Sequence, residues 1–420
     1  MSSAVLHSAQ QETAEKEKSL LVQTYDRLPV LLERGEGVYL YDSEGKRYLD
    51  FLTGIGVNAL GHAHPEIRQT IEEQAGKLLH TSNLFYHHYQ SRVAEKLTAM
   101  SRMDRVFFCN SGTEAWETAL KLARAYGKQV APKEKKPKAK FLVMENSFHG
   151  RTYGALSTTG QKKYRDPYTP LLPGVSFVKF NKIEDLKKKF NDTVVAIGLE
   201  TVQGEGGIVP VSPEFLAAAR ELTSNSGALL ILDEIQCGCG RTGRYFAYQD
   251  YGVTPDIVTV AKPLAGGLPL GAVLTTNKVA EAFHPGMHGT TFGGGPLACA
   301  TADKFLEVLS RPGMLEHIAE LGVYFRERLG ELKKKHKIIK EVRGMGLMNA
   351  ANLKSADIAK AVMKQMLERG VIINRTHDTV LRFLPPYIIE REHVDEVISK
   401  LDEVLQANSR KAAPVRREQQ

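Results

Sequence analysis

Leu229-Leu230-Ile231-Leu232 runs into Asp233-Glu234, and Ile257-Val258-Thr259-Val260-Ala261 runs into Lys262. Asp233 and Lys262 lie 29 residues apart, about one strand–helix–strand step. Apolar runs of this length between turn signals read as interior strands of a parallel sheet. Such sheets bind ligands outside the carboxyl ends of their strands, so an acid and an amine face one crevice. A carboxylate for a protonated ring nitrogen and a lysine amine for an aldehyde are what pyridoxal 5'-phosphate (PLP) asks of a protein. The same pair also reads as a structural salt bridge at the sheet edge. These two residues alone leave both readings open.

Working outward, further apolar runs at 141–144 and 194–199 alternate with helical stretches, as in an α/β fold with a mostly parallel sheet. Toward the N-terminus, Val38 to Asp42, a four-residue loop and Arg47 to Phe51 read as a hairpin. Beyond residue 296 the pattern changes. Leu315 to Leu332, Ile358 to Leu367 and Val394 to Val404 space their apolar residues as amphipathic helices, with short strands at 371–374 and 380–384 between them. The division expected is a disordered tail at 1–20, an N-terminal segment at 21–70 packing with the small domain, a large domain at 71–296, a smaller α+β domain at 297–408 and a basic tail at 409–420. No internal repeat is present.

The chain has 420 residues, 42% of them hydrophobic, and a net charge of +8. That charge sits in Lys128–Lys140 (six lysines, one glutamate) and Arg410–Gln420 (three arginines, one lysine, one glutamate), so the remainder is neutral. Neither segment interleaves aromatic residues, which argues against a nucleic-acid partner. Four scattered cysteines do not make a disulfide scaffold, and Cys237-Gly238-Cys239 lacks a second pair for zinc, so no metal is expected. No apolar run is long enough for a membrane span, and no targeting signal is legible. Cytoplasm is the expected location.

Other segments carry chemistry beside a bland alternative. Ser111-Gly112-Thr113 follows the run Val106-Phe107-Phe108 and opens a helix, where a phosphate would find free N–H groups; taken alone, an ordinary helix cap is the better reading, and Asp233 and Lys262 beside it favour the phosphate. In Ser147 to Thr152, Phe148 is placed to stack on a cofactor ring and Arg151 to clamp a carboxylate; core and surface roles remain open for both. His149 reads as structural. His288 to Pro296 is a glycine-rich turn with two hydroxyls, equally readable as an inter-domain loop.

Together these segments resemble the class III PLP-dependent aminotransferases, with the acetylornithine aminotransferase branch nearest. The resemblance is carried by Asn110-Ser111-Gly112-Thr113-Glu114-Ala115, Ser147 to Thr152, Gln203-Gly204-Glu205-Gly206-Gly207, Asp233-Glu234-Ile235-Gln236, Ala261-Lys262, Gly289-Thr290-Thr291 and Arg382-Phe383-Leu384-Pro385-Pro386. Asp50 to Asn58 and Gly61-His62-Ala63-His64-Pro65 support it, and it spans about 24–405. It implies fold type I, with a large domain built on a mostly parallel sheet and a smaller α+β domain. It implies that Lys262 binds PLP and shuttles the proton, Asp233 pairs with the ring nitrogen, Gln236 bonds the phenolic oxygen and Phe148 stacks on the ring. Ser111, Gly112 and Thr113 would hold the phosphate. Thr291 would reach the phosphate of a neighbouring subunit, implying a homodimer with shared sites, and Thr290 would lie near substrate. Arg382 would bind the α-carboxylate of glutamate and Arg151 the distal carboxylate, with Glu205 neutralising Arg382 when no α-carboxylate is present.

The reaction implied moves the δ-amino group of N-acetylornithine to 2-oxoglutarate, giving N-acetylglutamate semialdehyde and glutamate. Ornithine aminotransferases tend to carry tyrosine in place of Ile55, which leans the reading toward an acylated amine. Succinylornithine, an acylated lysine precursor and 4-aminobutyrate remain alternatives, as do an aminomutase and a PLP-binding regulator. Trp116 and Gly295 depart from the asparagines usual in the family, and Asn349-Ala350-Ala351-Asn352 is more polar than the strand normally found there.

Overall fold

The computed structural model describes residues 8–131 and 137–412. The centre of the basic loop and the ends of both tails lie outside the described residues. The apolar runs form a seven-stranded sheet in the spatial order Arg105–Cys109, Gly271–Thr275, Ile257–Val260, Leu229–Asp233, Val194–Glu200, Lys140–Met144, Val175–Val178. Gly271–Thr275 runs antiparallel to both its neighbours, and the other pairings are parallel. Every residue of Val194–Glu200, Leu229–Asp233 and Ile257–Val260 is buried, which is why these strands read as unbroken apolar runs rather than alternating ones. Asp233 is in register with Glu200 on one side and Thr259 on the other, so the strand ends form one edge.

The C-terminal part forms a separate antiparallel sheet in the order Ile339–Met345, Met348–Leu353, Val380–Phe383, Asn374–Thr376. Helices Met314–Lys335, Ala356–Glu368 and Arg391–Ala412 accompany it, at the places their apolar spacing predicts. The strand expected at 371–374 divides. Val371–Ile372 pairs parallel with Arg47–Asp50 of the N-terminal hairpin, while Asn374–Thr376 joins the C-terminal sheet. The polar stretch 349–352 is strand all the same, because its amides are satisfied. Asn349 donates to Gly346 O at 3.0 Å and Asn352 accepts from Thr379 at 2.8 Å. One expectation is corrected: Ser8–Leu20 is a helix, not a disordered stretch, although its residues from Ala9 onward are mostly exposed.

Candidate active site

The carboxyl ends of the parallel strands surround a cavity of about 490 Å³. Ser111, Gly112, Thr113, Phe148, Arg151, Glu205, Asp233, Gln236 and Lys262 all line it. They arrive on five different turns at strand ends, which is how distant sequence positions meet. Gly112–Gln129 is an 18-residue helix beginning at the cavity wall, so its first unpaired N–H groups end there. Ser111 is its cap, accepting from Glu114 N at 3.3 Å.

Asp233 is buried and held on both oxygens. Oδ1 accepts from Ile235 N at 3.0 Å and Oδ2 from His149 Nδ1 at 2.7 Å. Its neighbour Glu234 turns the other way, accepting from Thr201, Ala247 and Tyr248; burial pushes its pKa up to about 7. Lys262 follows its strand with φ +41°, a conformation rare outside glycine, and is half-buried. Burial lowers its pKa. Asp233 and Glu205 oppose that shift without cancelling it, so the amine has a larger neutral fraction than an exposed lysine.

Arg382 comes from the C-terminal sheet and is 1% exposed. It stands behind the cavity wall, donating to Glu205 Oε1 at 2.5 Å, Gln236 Oε1 at 3.3 Å and Asn374 Oδ1 at 3.0 Å. Burial raises the Glu205 carboxyl, but the charge and hydrogen bond of Arg382 outweigh it, and the net shift is downward. Arg151 is exposed at the cavity, its guanidinium 3.9 Å from the Tyr164 ring centre and 5.6 Å from that of Phe148.

Besides Arg382, three expected residues are not cavity walls. Thr290 sits one step away, its hydroxyl accepting from Asn110 Nδ2 at 3.1 Å. Thr291 is exposed. Ile55 is also exposed and lies in a left-handed turn in which Thr53, Gly54, Ile55 and Gly56 all have positive φ. A Cβ on Gly56 would lie 3.9 Å from Lys262 Cδ, so this turn packs beside the lysine.

Two site residues escaped the sequence reading. His149, taken as structural, is the partner of Asp233. Nothing in its sequence context marks that contact. Glu200 ends the apolar run 194–199 as Asp233 ends 229–232, so the same strand-end signal was available. Its carboxyl is buried, accepting from Phe148 N at 3.0 Å and Gly204 N at 2.9 Å, and so fastens two cavity loops. Burial first, then the charge of Asp233 in register beside it, pushes its pKa up to about 8.

A family model described as Aminotransferase class-III matches residues 21–405. The chain belongs to the class-III aminotransferases. It is 49% identical over 398 residues to the acetylornithine aminotransferase of Methanocaldococcus jannaschii, covering 94% of this chain and 98% of that one. It is 47% identical to that of Aquifex aeolicus, covering 92% and 99%. Among solved structures it is similar to the ornithine aminotransferase of Toxoplasma gondii ME49 (TM-score 0.91, 32% identity, 96% of each chain). It is also similar to the N-acetylornithine aminotransferase of Stenotrophomonas maltophilia K279a (TM-score 0.80, 35% identity, 94% and 99%). Class-III aminotransferases are PLP enzymes that move an amino group from a donor to a keto acid. The donor set fits that cofactor: a helix start for its phosphate, a half-buried lysine amine for its aldehyde and a buried acid for its ring nitrogen share one cavity.

Proposed function

We propose that this aminotransferase moves the δ-amino group of N-acetylornithine to 2-oxoglutarate. The observation that carries the reading is the closed pair of Arg382 and Glu205 beside the exposed Arg151. A donor whose reacting amine has no adjacent carboxylate needs Arg382 neutralised, and Glu205 does so. The distal carboxylate then meets Arg151. Glutamate carries both carboxylates, so its α-carboxylate takes Arg382 as Glu205 leaves. The high identity to acetylornithine aminotransferases over nearly the whole chain supports the same substrate.

The chemistry supplied by bound PLP is an aldehyde that condenses with amines and a ring that accepts electron density. Lys262 would hold its aldehyde carbon and, once displaced by substrate amine, carry the proton at the substrate carbon. The lowered pKa of Lys262 suits both tasks. Asp233, oriented by His149, would keep the ring nitrogen protonated. Gln236 would meet the phenolic oxygen, Phe148 would cover a ring face, and Ser111, Gly112 and Thr113 would hold the phosphate.

A homodimer follows from the same reading. Leu79, Leu84, Phe85, Tyr86 and Phe292 are exposed, and Asn83 bonds Thr290 O and Gly293 O, so an apolar face lies beside Thr291. Thr291 would then serve the partner's site. No helix among the described residues is long and apolar enough to cross a membrane. The four cysteines are buried and free, which suits a reducing cytoplasm.

The test is the half-reaction of the PLP form with N-acetylornithine, ornithine, succinylornithine, 4-aminobutyrate and glutamate, followed by cofactor absorbance. N-acetylornithine and glutamate should lead. A list headed by 4-aminobutyrate would overturn the substrate and leave the fold and family intact.

A further inference from the structure

Trp116 is the only tryptophan in the chain and is completely buried on the helix that starts at the cavity. Its indole lies flat on the imidazole of His149, with ring centres 3.8 Å apart and planes within 5°. Its Nε1 donates to Thr158 Oγ1 at 2.8 Å, fixing the indole at its far side. His149 has one directional side-chain contact, Nδ1 to Asp233 Oδ2 at 2.7 Å; its buried Nε2 faces no hydrogen-bond partner among the described residues. A ring tethered at Cγ and held by one hydrogen bond keeps latitude in its Cβ–Cγ torsion, so what rests on its face decides its plane.

We propose that Trp116 is a positioning residue of the cofactor site, the wall that holds His149 in the plane from which it orients Asp233. A second feature supports this. Gly198 lies on the strand beside Leu229–Asp233, and a Cβ there would fall 2.8 Å from Trp116 Cη2. The sheet therefore leaves a notch that an indole fills. Core filling alone would be met by any large apolar side chain; flat contact with the imidazole needs an aromatic one.

The inference rests on the proposed pairing of Asp233 with the ring nitrogen, and the test separates the two. Wild type, Trp116→Leu, Trp116→Phe and Gly198→Ala are loaded with PLP labelled with nitrogen-15 in the ring. The nitrogen chemical shift then reports ring protonation, and equilibrium dialysis gives PLP affinity. Wild type should show a protonated ring nitrogen, and Asp233→Ala should lose it; if wild type does not, the cofactor pairing itself fails. Trp116→Leu should weaken PLP binding roughly two- to twelvefold, the range of one aromatic stacking contact, and shift the nitrogen signal toward the unprotonated form. Trp116→Phe should restore both to within about twofold. Gly198→Ala, which displaces the indole without replacing it, should move both in the direction of the leucine variant. If Trp116→Leu does not fold, the phenylalanine and Gly198 variants decide alone. A nitrogen signal and affinity like wild type in Trp116→Leu or Gly198→Ala, with only thermal stability lowered, would reduce Trp116 to packing and overturn the proposal.

Discussion

Replacing Glu205 with alanine tests the two-substrate site most directly. Arg382 is 1% exposed, and the Glu205 carboxylate is its only acidic partner among the described residues. In the proposed binding mode an α-carboxylate would take that guanidinium by displacing Glu205. One hydrogen bond between charged groups is worth about 1.5–3 kcal/mol. With Glu205 gone, a donor that carries an α-carboxylate no longer meets that cost, a gain of roughly 10- to 150-fold. A donor without one now leaves Arg382 unpaired. Breaking a fully buried pair costs about 3–5 kcal/mol. Here Gln236 and Asn374 keep their hydrogen bonds to Arg382, and the Glu205 side chain is 23% exposed, so a loss of about tenfold is the fair expectation.

The ratio of glutamate to N-acetylornithine reactivity should therefore rise by about a hundredfold or more in Glu205→Ala. Stopped-flow absorbance of each half-reaction gives kcat/KM for both donors on one enzyme preparation. Because Arg382 holds the Glu205 carboxyl below its usual range, the effect should persist across neutral pH. A ratio within about threefold of wild type would refute the gate, since even the low end of one charged hydrogen bond exceeds that.

Three further outcomes follow from other parts of the molecule. Borohydride reduction of the holoenzyme followed by peptide mapping should place PLP on Lys262, and a label on any other lysine would contradict the site. Glu200 titrates near 8 in the fold against about 4.5 unfolded, so its stabilising neutral form is fully present in acid and lost as pH rises through about 8. The urea-unfolding difference between wild type and Glu200→Gln should thus fall by about 1.4 kcal/mol per pH unit from roughly pH 5 to pH 8 and then level off; parallel profiles would be inconsistent with a raised pKa. Gly322→Ala, favoured by helix propensity, should instead lower Tm by several degrees, because the new Cβ would lie 2.1 Å from Gly346 O; a higher Tm would mean that the contact relaxes freely.

What the sequence made legible follows from how locally each feature is encoded. Asp233 and Lys262 were readable because buried parallel strands are written as apolar runs, and a charge ending such a run stands out. Glu200 carries the same mark at the end of the run 194–199. The helices at 314–335 and 391–412 were readable from apolar spacing alone. Strand Met348–Leu353 was not, because two asparagines satisfied by Gly346, Arg326 and Thr379 hide its burial. Helix Ser8–Leu20 lacks an apolar face, so its pattern resembles a disordered stretch. Arg382 and Glu205 became candidates only through family resemblance, since the pair joins residues 177 positions apart. The His149 contacts with Asp233 and Trp116 are products of tertiary packing, and no local pattern encodes them.

The surroundings of the three cavity acids decide which of them can move. Asp233 ends an interior strand and is held on both oxygens, so displacing it would break two bonds inside the sheet edge. Glu200 fastens the Phe148 and Gly204 loops through one oxygen each; its departure would loosen both walls of the cavity. Glu205 stands on the short loop between Val202–Gln203 and Val209–Pro210, tied through its side chain only to Arg382 and Thr376. It is the one acid whose release costs little beyond a single charged contact. An arriving α-carboxylate would replace that contact with the same charge on the same guanidinium, so the buried cation would not be left uncompensated. Glu200, neutral below about pH 8, adds no further negative charge to oppose the exchange. On the proposed reading, two donors that differ by one carboxylate would share the cavity because Glu205 would supply the charge that one of them lacks.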